Sequence, residues 1–117
     1  MGKKSRAKGA AGEREVVAIV KALWPQAARR ASGEESQEQR GRDLKNTPGF
    51  CVQVQLAKLP KPEKKLGEAI GVARAHETPV AFTRRCSRGK SGEWLVTLRA
   101  SDFVTLLKSG WKQFAPY

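Results

Sequence analysis

Gly41-Arg42-Asp43-Leu44-Lys45-Asn46-Thr47-Pro48-Gly49-Phe50-Cys51-Val52-Gln53-Val54-Gln55-Leu56 is the stretch on which the fold turns. Residues 46–49 (Asn-Thr-Pro-Gly) read as a turn. Behind them Val52, Val54 and Leu56 alternate with Gln53 and Gln55, the two-residue period of a strand with one apolar and one polar face. Pro60 and Pro62 break that strand and open a helix whose apolar positions Leu66, Ala69, Ile70 and Ala73 share one side. Residues 79–83 (Pro-Val-Ala-Phe-Thr) then read as a second strand.

Toward the N-terminus, Val16, Val17, Val20, Leu23 and Trp24 form one helical stripe that begins near Gly12 and stops at Pro25. Glu13 stands three, four and seven residues before Val16, Val17 and Val20, so it shares their inward face, whereas Glu15 points to the side. Residues 1–11, with Lys3, Lys4, Arg6 and Lys8 among small residues, have no apolar period and read as a flexible basic arm. Residues 27–32 form a short strand and 33–41 a polar loop. After 83, a loop over 87–92 leads to a strand at 93–98, and Ser101 resembles an N-cap for a short helix carrying Phe103, Leu106 and Leu107. Trp111, Phe114 and Tyr117 mark an aromatic tail over 111–117. The organisation is a basic arm (1–11), one α/β domain with a central mixed β-sheet flanked by helices (12–110), and that tail.

At 117 residues the chain fits a single domain, which buries roughly two-thirds of the surface of its unfolded form. Lys and Arg number 23 against 11 acids, a formal charge of +12. Self-repulsion on this scale is offset by a polyanion, so nucleic acid is the expected partner. No basic helix has the bulky apolar face needed for a membrane surface, and the longest unbroken apolar run, 16–20, is too short to span a bilayer. Two cysteines in separate segments and no secretory signal imply reduced thiols and a cytoplasmic location.

The acids are few, and two are well placed. Mg²⁺ prefers oxygen ligands and keeps several waters, so a hydrolytic site needs carboxylates converging where a phosphate can approach. Glu13 and Asp43 can supply two. Asp43 is one of only two aspartates and stands among Arg40, Arg42 and Lys45. The bland alternatives are a salt bridge or turn role for Asp43 and dipole stabilisation of the first helical turn for Glu13.

The runs Lys8-Gly9-Ala10-Ala11-Gly12-Glu13-Arg14-Glu15, Arg29-Arg30-Ala31-Ser32-Gly33, Asp43-Leu44 and Phe50-Cys51-Val52-Gln53-Val54-Gln55 together resemble the PD-(D/E)XK nuclease superfamily. Within it the chain looks like archaeal and phage-type Holliday junction resolvases, and the similarity continues through 79–85 and 93–98. The resemblance implies a small restriction-endonuclease-like fold and Mg²⁺-dependent (or Mn²⁺-dependent) phosphodiester hydrolysis in branched DNA, four-way junctions above all. It also implies a homodimer acting in DNA recombination in a bacterial or phage-infected cell. Glu13 becomes the helix-borne acid and Asp43 the central metal ligand, with Gln53 as a third ligand position and Gln55 completing the catalytic set. Arg14, Arg30 and Ser32 match positions near the DNA backbone; Lys8 on the arm and Arg42, Lys58, Lys61, Lys64 and Lys65 around the cleft are further DNA contacts.

The chain departs from this pattern at two positions. Gln53 stands where the family has an acid, and Gln55 where it has a lysine that orients water and offsets charge on the phosphate. Loss of one such preorganised cation is expected to cost about 10²–10³ in rate. Lys58, Lys61 and Lys64 are the nearest substitutes in sequence. If the fold holds, Glu13, Asp43, Gln53 and Gln55 converge in one pocket at the sheet edge. An acid restored at 53 then tightens metal binding, and a lysine restored at 55 raises the rate. Two alternatives stand beside the nuclease: a catalytically inactive relative that binds branched DNA, and an RNA- or ribosome-associated basic protein.

Overall fold

The structure is a computed structural model that describes residues 3–30, 41–87 and 90–114, with side chains described for 9–30, 41–86 and 92–110. Among the described residues, three helices and six strands follow in the order α1 (Lys3–Val20), β1 (Ala28–Arg29), β2 (Leu44–Lys45), β3 (Phe50–Ala57), α2 (Pro62–Val72), β4 (Thr78–Ser87), β5 (Lys90–Ser91), β6 (Leu95–Thr97) and α3 (Ala100–Phe114). β3 and β4 run parallel, with Val52 opposite Val80 and Val54 opposite Phe82, and α2 is the crossover between them. β6 and β5 pair antiparallel with successive parts of β4, which makes the sheet mixed. This is the α/β architecture expected from the sequence, a small mixed sheet with helices on both sides.

The alternation in β3 sorts its two faces. Val52 and Val54 turn toward α1 and join Val16, Val20, Ala27, Leu44, Val80 and Phe82 in one apolar core, flanked by Trp24, Phe50 and Trp94. The Trp24 and Phe50 rings meet at 5.0 Å between centroids. Gln53 and Gln55 belong to the opposite face, where α2 packs through the fully buried Ala69.

Gly12 allows α1 to approach closely. A Cβ placed there meets the Leu56 Cβ at 3.0 Å, the Trp94 ring at 3.5 Å and the Val54 Cγ1 at 3.6 Å. Glu15 fixes the same helix from the side: its Oε1 accepts from Trp94 Nε1 at 3.1 Å and faces Arg84 Nη1 at 2.9 Å.

Several boundaries differ from those read in the sequence. α1 starts at Lys3 rather than Gly12. The stretch expected to be a flexible arm is rich in Ala, Lys and Arg, good helix formers that need no apolar stripe to prolong a helix already anchored downstream. α3 starts at Ala100, so Ser101 lies within it rather than capping it, and it runs on to Phe114, taking in part of the expected tail. The side chains of Trp111 and Phe114, and Tyr117 altogether, lie outside the described residues. β2 has no sequence period because two residues cannot display one; it exists through pairing of Leu44 with Arg29 and Lys45 with Ala28.

Candidate functional site

Among the described residues β3 pairs with a strand, β4, along one edge only, and residues 41–43 cover part of the other. Asp43 Oδ2 accepts the backbone N–H of Val54 at 2.7 Å. Gln53 holds the same segment: its Oε1 accepts the Asp43 N–H at 2.9 Å and its Nε2 donates to the Gly41 carbonyl at 2.7 Å. Gly41 is required on two counts, a φ of 77° and a Cβ position only 2.9 Å from Val72 Cγ1. The β1–β2 pair extends this ledge, with Arg30 N donating to the Asp43 carbonyl at 3.3 Å.

Glu13 arrives at the ledge from α1. Its Oε1 accepts from Arg29 Nε at 3.0 Å. Glu13, Asp43, Arg29, Arg30 and Arg42 line one cleft of about 200 Å³. The two acids therefore meet outside the β3 edge, not on opposite sides of the sheet. Burial raises the Glu13 carboxyl above its ordinary value and the Asp43 charge adds to this, against the hydrogen bond from Arg29. Burial likewise raises Asp43, against the Val54 N–H and the Lys65 ammonium.

Lys65 stands beside the cleft, outside its lining residues. It rises from α2 with Nζ 3.6 Å from Asp43 Oδ2 and 3.2 Å from Glu68 Oε1. Its side chain is 17% exposed, and its charge also reaches Glu13.

The glutamines do not behave as a pair. Gln53 is 3% exposed, and both ends of its amide are used on backbone groups, so it acts here as a clamp on the Asp43 segment. Gln55 is absent from the lining of the acid cleft; its Oε1 accepts the Lys61 N–H at 2.8 Å, at the start of α2. Arg42, expected as a DNA contact, also has a structural task. Its guanidinium donates to Glu77 (Nη1 to Oε2, 2.9 Å) and to the Val72 carbonyl at 3.2 Å, tying the ledge to the end of α2. Arg14, Lys58, Lys61 and Lys64 are exposed, and Arg30 is half-buried. Ser32 and the side chain of Lys8 lie outside the described residues.

No protein-family model, no curated protein and no solved structure matches the chain. Among the described residues no three His, Cys, Asp or Glu side chains gather as a metal-ligand group. Two carboxylates suffice for Mg²⁺, which keeps several waters and takes further oxygens from a phosphate. Glu13 and Asp43, half-buried and mutually repelling, fit that ion, while the Gln53 oxygen is engaged by the Asp43 N–H.

Lys65, expected at the cleft only as one of several phosphate contacts, is the lysine paired with Asp43, where Lys58, Lys61 and Lys64 were the expected substitutes for the missing cation. Its signal was the spacing: it stands four residues before Ala69, the residue of α2 that is buried against the sheet, so it occupies the inward flank of the helix.

Proposed function

We propose that the chain is a structure-selective DNA endonuclease of the Holliday junction resolvase type, hydrolysing phosphodiesters in branched DNA with Mg²⁺. The observation that carries this reading is the meeting of Glu13 and Asp43, from separate elements, in one cleft lined by Arg29 and Arg30. Acids at such a spacing have no need to converge in a plain basic binding protein. Bound Mg²⁺ would supply a Lewis acid and an activated water at Glu13 and Asp43. The chain's own part is positional: Gln53 and Val54 fix Asp43, Arg29 orients Glu13, and exposed Arg14, Lys58, Lys61 and Lys64 meet the phosphate backbone.

Resolution of a junction takes two cuts, which calls for two copies. β6 and α3 present exposed Leu95, Val96, Phe103 and Val104, and this is the surface we assign to the dimer. A monomer mass by light scattering at working concentration removes that assignment.

The second reading, a catalytically inactive binder of branched DNA, is favoured by one observation: each carboxylate already has a cation beside it, Arg29 at Glu13 and Lys65 at Asp43. Incubation with synthetic four-way junctions and linear duplex, in Mg²⁺ and in chelator, separates the two. Cleavage of junctions in Mg²⁺ alone supports the nuclease, whereas junction binding without cleavage in Mg²⁺ or Mn²⁺ overturns it and leaves the binder.

Among the described residues, no helix is long and apolar enough to cross a membrane. The charge of +12 supports a polyanionic partner.

A further inference from the structure

We propose that Lys65 is the catalytic cation of this site, and that Gln55 is the positioning residue that delivers it. The assignment rests on the nuclease reading.

The geometry links the two residues through one helical turn. Gln55 leaves β3 and accepts the Lys61 N–H at 2.8 Å, and Lys61 in turn accepts the Lys65 N–H through its carbonyl at 3.0 Å. Pro62 at the helix start holds the backbone between them, and Lys61 has no side-chain cap of its own to orient that turn. The Gln55 amide oxygen is therefore what ties the first turn of α2 to the strand bearing the Asp43 segment. From that turn Lys65 reaches back to within 3.6 Å of Asp43 Oδ2. A lysine at 55 has no acceptor to offer the Lys61 N–H. Glutamine at 55 and lysine at 65 thus form a matched arrangement, in which the strand supplies the anchor and the helix supplies the charge.

Neighbouring lysines lack this geometry. Lys58, Lys61 and Lys64 are exposed, whereas the Lys65 side chain is largely withdrawn from solvent, where its charge acts through fewer waters. Glu68 steadies the ammonium from the solvent side at 3.2 Å.

In the reaction Lys65 keeps its proton. The oxygen of the attacking water bonds to phosphorus as the bond to the leaving sugar oxygen breaks. The water's proton passes to solvent, and the leaving oxygen takes one up from solvent. Lys65 offsets the charge that gathers on the non-bridging oxygens between these events.

The test measures single-turnover cleavage of a four-way junction in Mg²⁺, and junction affinity in chelator, for the parent chain, Lys65→Met, Lys65→Gln and Lys65→Met/Gln55→Lys. Lys65→Met and Lys65→Gln should cut about 10²–10³ slower, as when one preorganised electrostatic donor is removed, with junction affinity in chelator changed far less. Lys65→Gln keeps a polar side chain beside Glu68 and serves if the methionine variant does not fold. The double variant, which returns a cation from the strand, should recover at least part of the lost rate, a rescue that a merely structural lysine does not give. Parent-like rates in both single variants overturn the Lys65 assignment and leave the nuclease standing. A slow Lys65→Met with no recovery in a folded double variant overturns the matched roles of Gln55 and Lys65. A parent chain that binds junctions yet cuts none overturns the nuclease reading, and the role of Lys65 with it.

Discussion

Gln53 holds Asp43 by accepting its backbone N–H at 2.9 Å while donating to the carbonyl of Gly41, two residues earlier, at 2.7 Å. An amide is the side chain that can do both. A carboxylate at 53 keeps the first bond but turns an oxygen on the Gly41 carbonyl, in a position that is 3% exposed. Gln53→Glu should therefore destabilise the fold by about 1–3 kcal/mol, the cost of a buried acceptor left without a donor. Divalent-ion affinity should not rise, in contrast to what the sequence pattern alone suggested. Thermal melting and a Mn²⁺ titration check both halves; tighter Mn²⁺ binding with undiminished stability refutes the clamp.

The contrast shows which parts of this molecule could be read in advance. The period of 50–56, the stripe from Val16 to Trp24 and the prolines before α2 were enough for the sheet and its helices, because local periodicity reports which face is buried. Glu13 was legible for the same reason, through its spacing to Val16 and Val20. Side-chain partners across the chain were not. Arg42 and Glu77 are 35 residues apart, and nothing local in either says that they meet. For Gln53 the residue type was visible in the sequence and its two backbone partners were not. Lys65 was legible as one of several lysines flanking the cleft but not as the one paired with Asp43, because the direction of a helical side chain depends on how the helix docks, which Ala69 fixes only once α2 is laid on the sheet.

Gly12 tests how firmly the site depends on the approach of α1. In an exposed helix, Gly→Ala gains about 0.5–1 kcal/mol. Here the new Cβ lies 3.0 Å from the Leu56 Cβ, an atom next to the strand backbone that cannot swing aside. Overpacking of this kind costs about 1–3 kcal/mol, so the net effect should be destabilising. Glu13 is the next residue, and its displacement should lower junction cleavage as well. Gly9, with nothing within 4 Å of its added Cβ, is the control: Gly9→Ala should be neutral or slightly stabilising in the same melts. Equal behaviour of the two variants rules out the close-approach argument.

The Arg42–Glu77 pair sets one arm of the pH response. Hydrogen bonding from Arg42 holds the Glu77 carboxyl below its ordinary value. A lowered carboxyl contributes stability that is present above its ordinary value and lost as pH falls through its lowered one. Both side chains are only 9% exposed. Glu77→Gln keeps one acceptor, so its cost at neutral pH should lie at the lower end of the about 3–5 kcal/mol seen when a buried pair loses a partner. Urea unfolding of both proteins should show that deficit near neutral pH and a smaller one in acid. A deficit that does not change with pH contradicts the ionic part of the role.

Glu13 and Asp43 set the opposing arm, and they offer a test of the cation site that needs no cleavage. Burial raises both carboxyls. Their contribution to stability is therefore fully present below the ordinary carboxylate values and is lost as pH rises through the raised folded ones. Once ionised, the two acids are charges that the folded protein disfavours, and a divalent ion bound between them relieves the cost. An ion at about ten times its dissociation constant adds about 1.4 kcal/mol to the folded state, a rise of a few degrees in Tm. Mg²⁺ or Mn²⁺ should give that rise near neutral pH and none once both acids are protonated, each compared with a metal-free sample at the same pH so that Glu77 cancels. Asp43→Asn and Glu13→Gln should each abolish most of the response while leaving the fold intact, since an amide can still accept from the Val54 N–H or from Arg29. A Tm rise of equal size in acid, or in Asp43→Asn, would place the ion elsewhere on the protein and remove Glu13 and Asp43 as its ligands.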